Sequence, residues 1–368
     1  MALTRITLYN ILAQCYVRSA YFPHSPSSCL KCVRVPSPSS SHLPAPPHPP
    51  RPSLSPRTFP RDPDTHPAPS RRWKARSRNL VNELAGLDSD VLALQEVDQY
   101  EEFWQPWLVE RGYDGVYKCR TQLTKSKRDG CGLFFKRDKF ELLARRDIEY
   151  NDIAWGRPVG YVHPEGSPEP TEAPVEADGG VNKYIRDCVG VLALLRSKTA
   201  TDGYVMVAST HLYWDPAHAD VKLAQARRLL GEVELFLASN SPIKRSVPVV
   251  TAGDFNSVPG SEVHSAMLGG FGGRRLRSAY AAAIGEGLVV GTDGSESSVT
   301  VGKHGEPAHT NVTPGFTDCI DYVFVDDGVA VRSAMPLPGR DEVAAGLPDA
   351  TRGSDHLPLT VDLELWSR

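Results

Sequence analysis

Apolar residues are distributed along this chain in short, dense runs separated by polar, turn-forming stretches. Eight runs have the length and β-branched or aromatic content of strands: "ITLYNILA", "DVLALQEV", "CGLFFKR", "CVGVLALLR", "YVMVASTHLYW", "VPVVTAGDF", "CIDYVFVD" and "LPLTVDLELW". The second is continuously apolar, as a strand buried on both faces should be. The last alternates Leu357, Leu359, Val361, Leu363 and Leu365 with period two, which predicts one buried face. Two stretches follow the helical period instead. They are Leu80, Val81, Leu84 and Leu87 in "RSRNLVNELAGL", and Leu223, Ala226, Leu230, Val233 and Leu237 in "AHADVKLAQARRLLGEVELFL". Many strands and few helices in one chain, with no repeat of 20–50 residues, predict an α/β fold. The expected architecture is a four-layer α/β sandwich, two packed mixed β-sheets flanked by helices.

Composition narrows the function classes. The chain has 368 residues, 40% of them hydrophobic and 23% charged, enough for a sizeable core. A net charge of −3 excludes a generic polyanion binder, so any nucleic-acid contact needs local basic patches. Two clusters qualify: Lys125, Lys127 and Arg128, and Arg274, Arg275 and Arg277 after the glycine-rich turn "GGFGG". A solvated loop is the default reading of each cluster. No apolar run is long enough for a transmembrane helix, and no signal peptide is visible. The seven cysteines read as reduced thiols, and Cys29-x-x-Cys32 lacks the second pair of a zinc site.

Polar residues at the ends of the apolar runs carry the chemistry. They are Asn10 in "LYNILA", Glu96 in "LALQEVD", Asp254 and Asn256 in "TAGDFNS", and Asp355 and His356 in "GSDHLPL". His211 in "STHLYWDP" and Asp321 in "CIDYVF" join them. Taken singly, each has an ordinary explanation: a solvated cap, a turn asparagine, an Asx turn. Taken together, Glu96, Asn10 and Asp254 are hard oxygen ligands, suited to Mg²⁺ or Mn²⁺ rather than zinc. His356 is placed to stabilise or protonate a phosphoryl oxygen with Asp321 orienting it, and Asp254 to act as general base toward a water. Asn256 is placed to donate its amide to a phosphate oxygen. The set describes metal-assisted hydrolysis of a phosphate ester.

The order "YN…LQEV…THLYWDP…GDFNS…IDYVF…SDHLP" resembles the endonuclease/exonuclease/phosphatase superfamily, whose fold is DNase I-like. Within it, "DGCGLFFK", "STHLYWDPAHADVKLAQARRL" and "VVTAGDFNSVPGS" resemble the carbon-catabolite-repressor-4-type deadenylases, including plant homologues and the related nocturnin and Angel proteins. The resemblance covers most of residues 5–30 and 72–366. It implies a metal-binding Glu96 with Asn10 beside it, and an Asp254-x-Asn256 pair that activates water and holds phosphate. It further implies His356 and His211 at the scissile phosphate, with Asp321 as the carboxylate partner of His356. Pro216 and Phe316 match residues that sandwich an adenine. A helix-entry proline and a core phenylalanine remain the alternatives. The implied activity is a Mg²⁺-dependent 3′–5′ exoribonuclease that releases AMP from single-stranded poly(A) RNA. Alternatives are a phosphatase of the same fold acting on the 2′-phosphate of NADP(H), a DNA-repair endonuclease, and an inactive RNA-binding relative. No leucine-rich-repeat motif is present, so docking to a deadenylase scaffold complex is not expected, nor is membrane association. A cytoplasmic or nuclear location is expected.

Between Asn10 and Glu96 the chain departs from that pattern. Residues 31–71 hold thirteen of the 31 prolines and two acidic residues, Asp62 and Asp64. Because Asn10 and Glu96 are expected to face one metal, this stretch cannot separate two domains. It is expected to be a disordered insertion in a single catalytic domain spanning 1–368. A translated intron, a genuine insertion tolerated because closure entropy grows slowly, and a ligand for SH3-like or WW-like modules are its possible origins.

Overall fold

A computed structural model describes residues 3–18, 20–25, 69–123, 128–163, 174, 181–199, 203–240, 247–291 and 297–365. The first half of the chain contributes β1 (Leu3–Asn10), α1 (Pro69–Leu87), β2 (Val91–Gln95), α2 (Gln105–Glu110), β3 (Tyr113–Cys119), β4 (Gly130–Lys136) and β5 (Phe140–Glu149). Next come β6 (Val189–Ser197), β7 (Tyr204–His211), α3 (Ala219–Asn240), β8 (Val249–Asp254), α4 (Glu262–Gly269), β9 (Leu276–Ser278) and α5 (Ala279–Glu286). The last elements are β10 (Asn311–Thr313), β11 (Phe316–Asp318), β12 (Asp321–Asp326), β13 (Val329–Ala334) and β14 (Leu359–Leu365).

One six-stranded sheet runs β13-β14-β1-β2-β4-β3 and the other β5-β6-β7-β8-β12-β9, with β10 and β11 forming a separate hairpin. Each sheet is mixed: β1 and β2 pair in parallel, as do β7 and β8, while the remaining neighbours are antiparallel. Between the sheets lies a core of short and branched side chains. Ile6, Leu8, Val91 and Ala93 meet Val207, Val250, Ala252 and Val323, all within 1% of complete burial. Leu359, Val361 and Leu363 of β14 join this layer, with Leu357 just before the strand.

The outer faces are covered by helices, completing the four layers. Tyr9, Leu92, Leu94 and Phe134 turn outward against Leu80 and Leu84 of α1 and Leu108 of α2. Met206, Ala208 and Leu194 do the same against Leu229, Val233 and Phe236 of α3. Burying each of these larger side chains is worth about 1.5–3 kcal/mol, so two-sided burial explains why the central strands are nearly all apolar.

α1 starts at Pro69, the kind of residue a helix accepts in its first turn. Residues 69–71 of the proline-rich stretch are therefore helical. The rest of that stretch lies outside the described residues, as do Cys29 and Cys32.

Candidate active site

Strand register assembles the site. Parallel pairing of β7 with β8 puts His211 beside Asp254, and antiparallel pairing of β8 with β12 puts Asp321 on the other side of Asp254. Three residues from strands far apart in sequence thus form one row at the end of the second sheet. In the first sheet, parallel pairing sets Asn10 beside Gln95, with Glu96 following immediately. His356 precedes β14 and bridges to Asn311 of β10. The Ser354 hydroxyl donates to the Asn10 carbonyl (2.6 Å) and accepts from the His356 amide (3.1 Å), so the two sides are tied together.

Donors converge on one carboxylate oxygen. Asp254 Oδ2 accepts from Asn10 Nδ2 at 2.9 Å and lies 3.5 Å from His211 Nε2 and 3.7 Å from His356 Nε2. Its Oδ1 accepts from the Asn256 amide at 2.8 Å, an Asx turn that holds Asn256 at φ 48°. Asn10 Nδ2 also reaches Glu96 Oε1 (3.3 Å), and Glu96 Oε2 accepts from the Ala13 amide (2.8 Å). Glu96 itself has φ 56°. Left-handed backbone at a non-glycine residue costs on the order of 1 kcal/mol and concentrates at functional sites. His356 Nδ1 is bonded to Asp321 Oδ2 at 2.8 Å, and Thr310 donates to the same oxygen at 2.6 Å.

The electrostatics of this arrangement are unbalanced. Burial raises the pKa of Glu96, and the nearby Asp129 and Asp355 carboxylates push it further the same way. Burial, then Asp321, raises Asp254. Burial acts to lower His356, but Asp321, Asp355 and Asp254 overcome it and hold the imidazole well above its usual pKa. Asp355 Oδ1 and Asp321 Oδ1 are buried without a hydrogen-bond partner. A cluster of buried carboxylates with orphaned oxygens is what a hard divalent cation would satisfy. Glu96 and Asp355 supply oxygen donors of that kind, while Asn10 turns its amide nitrogen to Glu96 and Asp254 and its oxygen to the Leu12 amide. Asp254, Asp321 and His356 also bring potential ligand atoms within 4.8 Å of one another. In that second group His356 Nδ1 is bonded to Asp321 Oδ2, which leaves His356 Nε2, Asp321 Oδ1 and the Asp254 carboxylate as its potential donors.

An open cleft of about 690 Å³ leads to these groups. Glu96, His211, Asp254, Asn256, His356, Pro216 and Phe316 line it, while Asn10 and Asp321 stand behind, buried, holding the groups in front. Phe316 is 41% exposed, so it is not a core residue. Pro216 opens a helical turn capped by Asp215 and also lines the cleft. Asn256 spends one amide hydrogen on the Leu212 carbonyl at 3.0 Å.

Several residues here were not singled out by the sequence. Trp214, 62% exposed, stands on the cleft wall near Pro216. Lys222 is buried and donates to the Asn256 carbonyl at 2.7 Å. Arg120 and Asp129 form a buried ion pair (2.6 Å), and Arg120 Nη2 lies 2.7 Å from His211 Nδ1. Trp214 sits inside the quoted "THLYWDP" string, which was the available signal. Lys222 and Asp129 lie inside the "STHLYWDPAHADVKLAQARRL" and "DGCGLFFK" strings, whereas Arg120 had no signal, because its role arises only from folding.

One charge cluster is corrected. Arg274 bonds Asp326 and the Val247 carbonyl, while β9, which carries Arg277, pairs along Phe324–Asp326. That is the opposite end of β12 from Asp321, five residues away at about 3.3 Å each. The Arg274–Arg277 segment therefore braces the far end of the sheet and does not flank the cleft. Lys125 and Lys127 lie outside the described residues.

Residues 54–356 match the Endonuclease/Exonuclease/phosphatase family. The chain is 34% identical over 374 residues to carbon catabolite repressor protein 4 homolog 4 of Arabidopsis thaliana, covering 98% of this chain and 77% of that one. It is 32% identical to the CCR4-Not complex 3′-5′-exoribonuclease subunit Ccr4 of Yarrowia lipolytica, covering 79% of this chain but 43% of the relative. Among solved structures, ANGEL2, described as a 2′,3′-cyclic phosphatase, superposes with a TM-score of 0.65 at 23% identity, covering 99% of this chain and 96% of the other.

Proposed function

The chain belongs to the endonuclease/exonuclease/phosphatase family, and from that premise we propose that it is a Mg²⁺-dependent 3′–5′ exoribonuclease that shortens single-stranded poly(A) and releases AMP. One observation carries the reading. Asp254, ringed by Asn10, His211 and His356, lies at the base of a cleft whose walls expose Trp214, Pro216 and Phe316. Exposed aromatic faces are how proteins hold unpaired bases, each stacked base contributing about 1–3 kcal/mol. Relatives named for exoribonuclease activity support the same substrate class.

The roles follow from the geometry. A cation held by Glu96, with Asp355 and Asn10 beside it, would neutralise charge on the phosphate and favour ionised water. Asp254 accepts the proton of the attacking water, and the Asn10 amide holds the acceptor in place. His211 Nε2 and the remaining Asn256 amide hydrogen donate to non-bridging oxygens. His356, kept cationic by Asp321, offsets the charge that develops on the phosphorane and, as the P–O3′ bond to the preceding nucleotide breaks, gives its Nε2 proton to the departing 3′ oxygen. Lys222 fixes the turn that carries Asn256.

The test pairs labelled oligo(A) with NADPH and adenosine 2′,3′-cyclic phosphate in Mg²⁺. Stepwise loss of single AMP units from oligo(A) is expected. Intact oligo(A) beside hydrolysis of either nucleotide would replace the substrate assignment. Glu96→Ala is expected to abolish turnover of whichever substrate is cut, while RNA bound but uncut by the unaltered chain would mark it as a binding protein.

A further inference from the structure

His211 has a neighbour on each side of its ring. Nε2 faces Asp254 Oδ2 at 3.5 Å, and Nδ1 faces Arg120 Nη2 at 2.7 Å. We propose that Arg120 is a positioning residue that locks His211 in the tautomer with its proton on Nε2, so that His211 serves the reaction as a neutral hydrogen-bond donor. The catalytic consequence rests on the reaction proposed above; the tautomer does not.

The argument is one of donor inventory. A guanidinium has five N–H groups and no acceptor. Whatever nitrogen it bonds must offer a lone pair, so His211 Nδ1 is unprotonated and the ring hydrogen sits on Nε2. The other tautomer would set two N–H groups head to head across 2.7 Å and turn a lone pair toward the Asp254 carboxylate. His356 shows the opposite case. Its Nδ1 meets a carboxylate, Asp321, and therefore carries a hydrogen. Two histidines facing one aspartate oxygen are thus dressed differently by the groups behind them.

Arg120 is itself held rigidly. It follows β3 and Asp129 precedes β4, and the Arg120 amide donates to the Asp129 carbonyl at 2.9 Å, closing that hairpin. Arg120 Nε donates to Asp129 Oδ2 at 2.6 Å, with side chains 8% and 0% exposed. Tyr16 donates to Asp129 Oδ1 at 2.9 Å. Arg120 Nη1 reaches the Asp187 carbonyl and Cys188 Sγ, both at 3.5 Å. The Asp129 bond alone would satisfy a structural ion pair. Aiming the second terminal nitrogen at a ring that lines the cleft adds nothing to the hairpin, but it fixes the donor's direction.

The experiment reads the tautomer directly. Metal-free protein labelled with ¹⁵N-histidine is examined by long-range ¹H–¹⁵N correlation, with His211→Gln identifying the His211 signals. A protonated Nε2 and bare Nδ1 are expected; a protonated Nδ1 in the unaltered protein overturns the proposal outright. The test variant is Arg120→Met combined with Asp129→Asn, which removes the buried charge together with its partner and leaves the Tyr16 bond an acceptor. It is expected to give a mixture of tautomers and a kcat lower by about 10- to 100-fold, somewhat less than loss of a whole oxyanion donor. KM should stay within about twofold. Arg120→Lys, which keeps a donor, should recover part of kcat. An unchanged tautomer in the double variant, an unchanged kcat, or a loss confined to KM would each refute the role. If oligo(A) is not the substrate, kcat is read on bis(p-nitrophenyl) phosphate, so failure of the substrate assignment remains separate. If the double variant does not fold, the unaltered protein's spectrum still decides.

Discussion

Glu83 of α1 offers a pH test that avoids the reacting groups. Its carboxylate is largely buried and accepts from the Tyr9 hydroxyl at 3.0 Å and the Gly353 amide at 3.3 Å. Burial dominates and pushes its pKa from 4.5 up to about 7, the two hydrogen bonds offsetting part of the rise. Below about pH 4.5 the carboxyl is protonated folded or unfolded. Between 4.5 and 7 only the folded chain keeps the proton, so stability falls as pH rises through this window, and above 7 the full penalty is in place. The gap between 4.5 and about 7, at about 1.4 kcal/mol per pH unit, is worth about 3 kcal/mol. Glu83→Gln removes the charge while keeping an acceptor oxygen for Tyr9 and Gly353. Urea unfolding in chelator at pH 5 should find the two proteins within about 1 kcal/mol of each other. At pH 8 the variant should be more stable by about 2–3 kcal/mol. Asp98, raised by burial to about 6, and Glu149, raised by burial to about 7, tilt both proteins the same way and cancel in the comparison. A difference that does not change between pH 5 and pH 8, or that favours the unaltered protein at pH 8, refutes the reasoning.

Three further outcomes are expected. Arg76 is fully buried and donates to the Ile11 and Gly353 carbonyls (2.9 Å each) and to Gln14 Oε1 (3.0 Å), clamping the loop after Asn10 to the loop before His356. Arg76→Met should therefore cost about 2–4 kcal/mol in denaturant unfolding, because it leaves buried carbonyl acceptors unsatisfied at about 1–3 kcal/mol each, and an effect under about 1 kcal/mol would deny the clamp. Phe316→Ala and Trp214→Ala should each raise KM for oligo(A) by about 10-fold while leaving kcat on bis(p-nitrophenyl) phosphate within about twofold; equal losses on both substrates would remove stacking as the explanation. Deleting residues 31–68, up to the start of α1, should leave Mg²⁺-dependent turnover intact, and an insoluble or inactive product would show that the stretch is part of the fold.

The strands read from the sequence share a structural property. The eight predicted runs became β1, β2, β4, β6, β7, β8, β12 and β14, the interior strands of the two sheets. Of the strands that went unread, β3, β5, β9 and β13 are the four edges of these sheets, and β10 and β11 form the separate short hairpin. Most interior strands are covered on both faces and flanked on both sides, so their sequences are mainly apolar, and β14, "LTVDLEL", was legible from its period-two alternation instead. An edge strand such as β5, "FELLARRDIE", carries charges that discourage pairing with another chain, and those charges hide it. The site divides in the same way. Asn10, His211, Asp254 and Asp321 stood out because a polar residue at the end of an apolar run is conspicuous. Arg120 did not, because it meets His211 across 91 positions through a hairpin whose pairing is invisible until the sheet forms.

The row of His211, Asp254 and Asp321 is built from strand termini, whereas Trp214 and Pro216 stand on the connection from β7 to α3 and Phe316 starts β11 of the short hairpin, both outside the two large sheets. On the proposed function, bond cleavage and base recognition therefore occupy parts of the chain under different constraints. A substitution in the row disturbs three strands and the core beneath them at once. A substitution in the connections changes a surface and little else, so descent can alter what is cut while preserving how it is cut. Substrate preference in this architecture is an adjustable trait mounted on a conservative one, and the two should evolve at different rates.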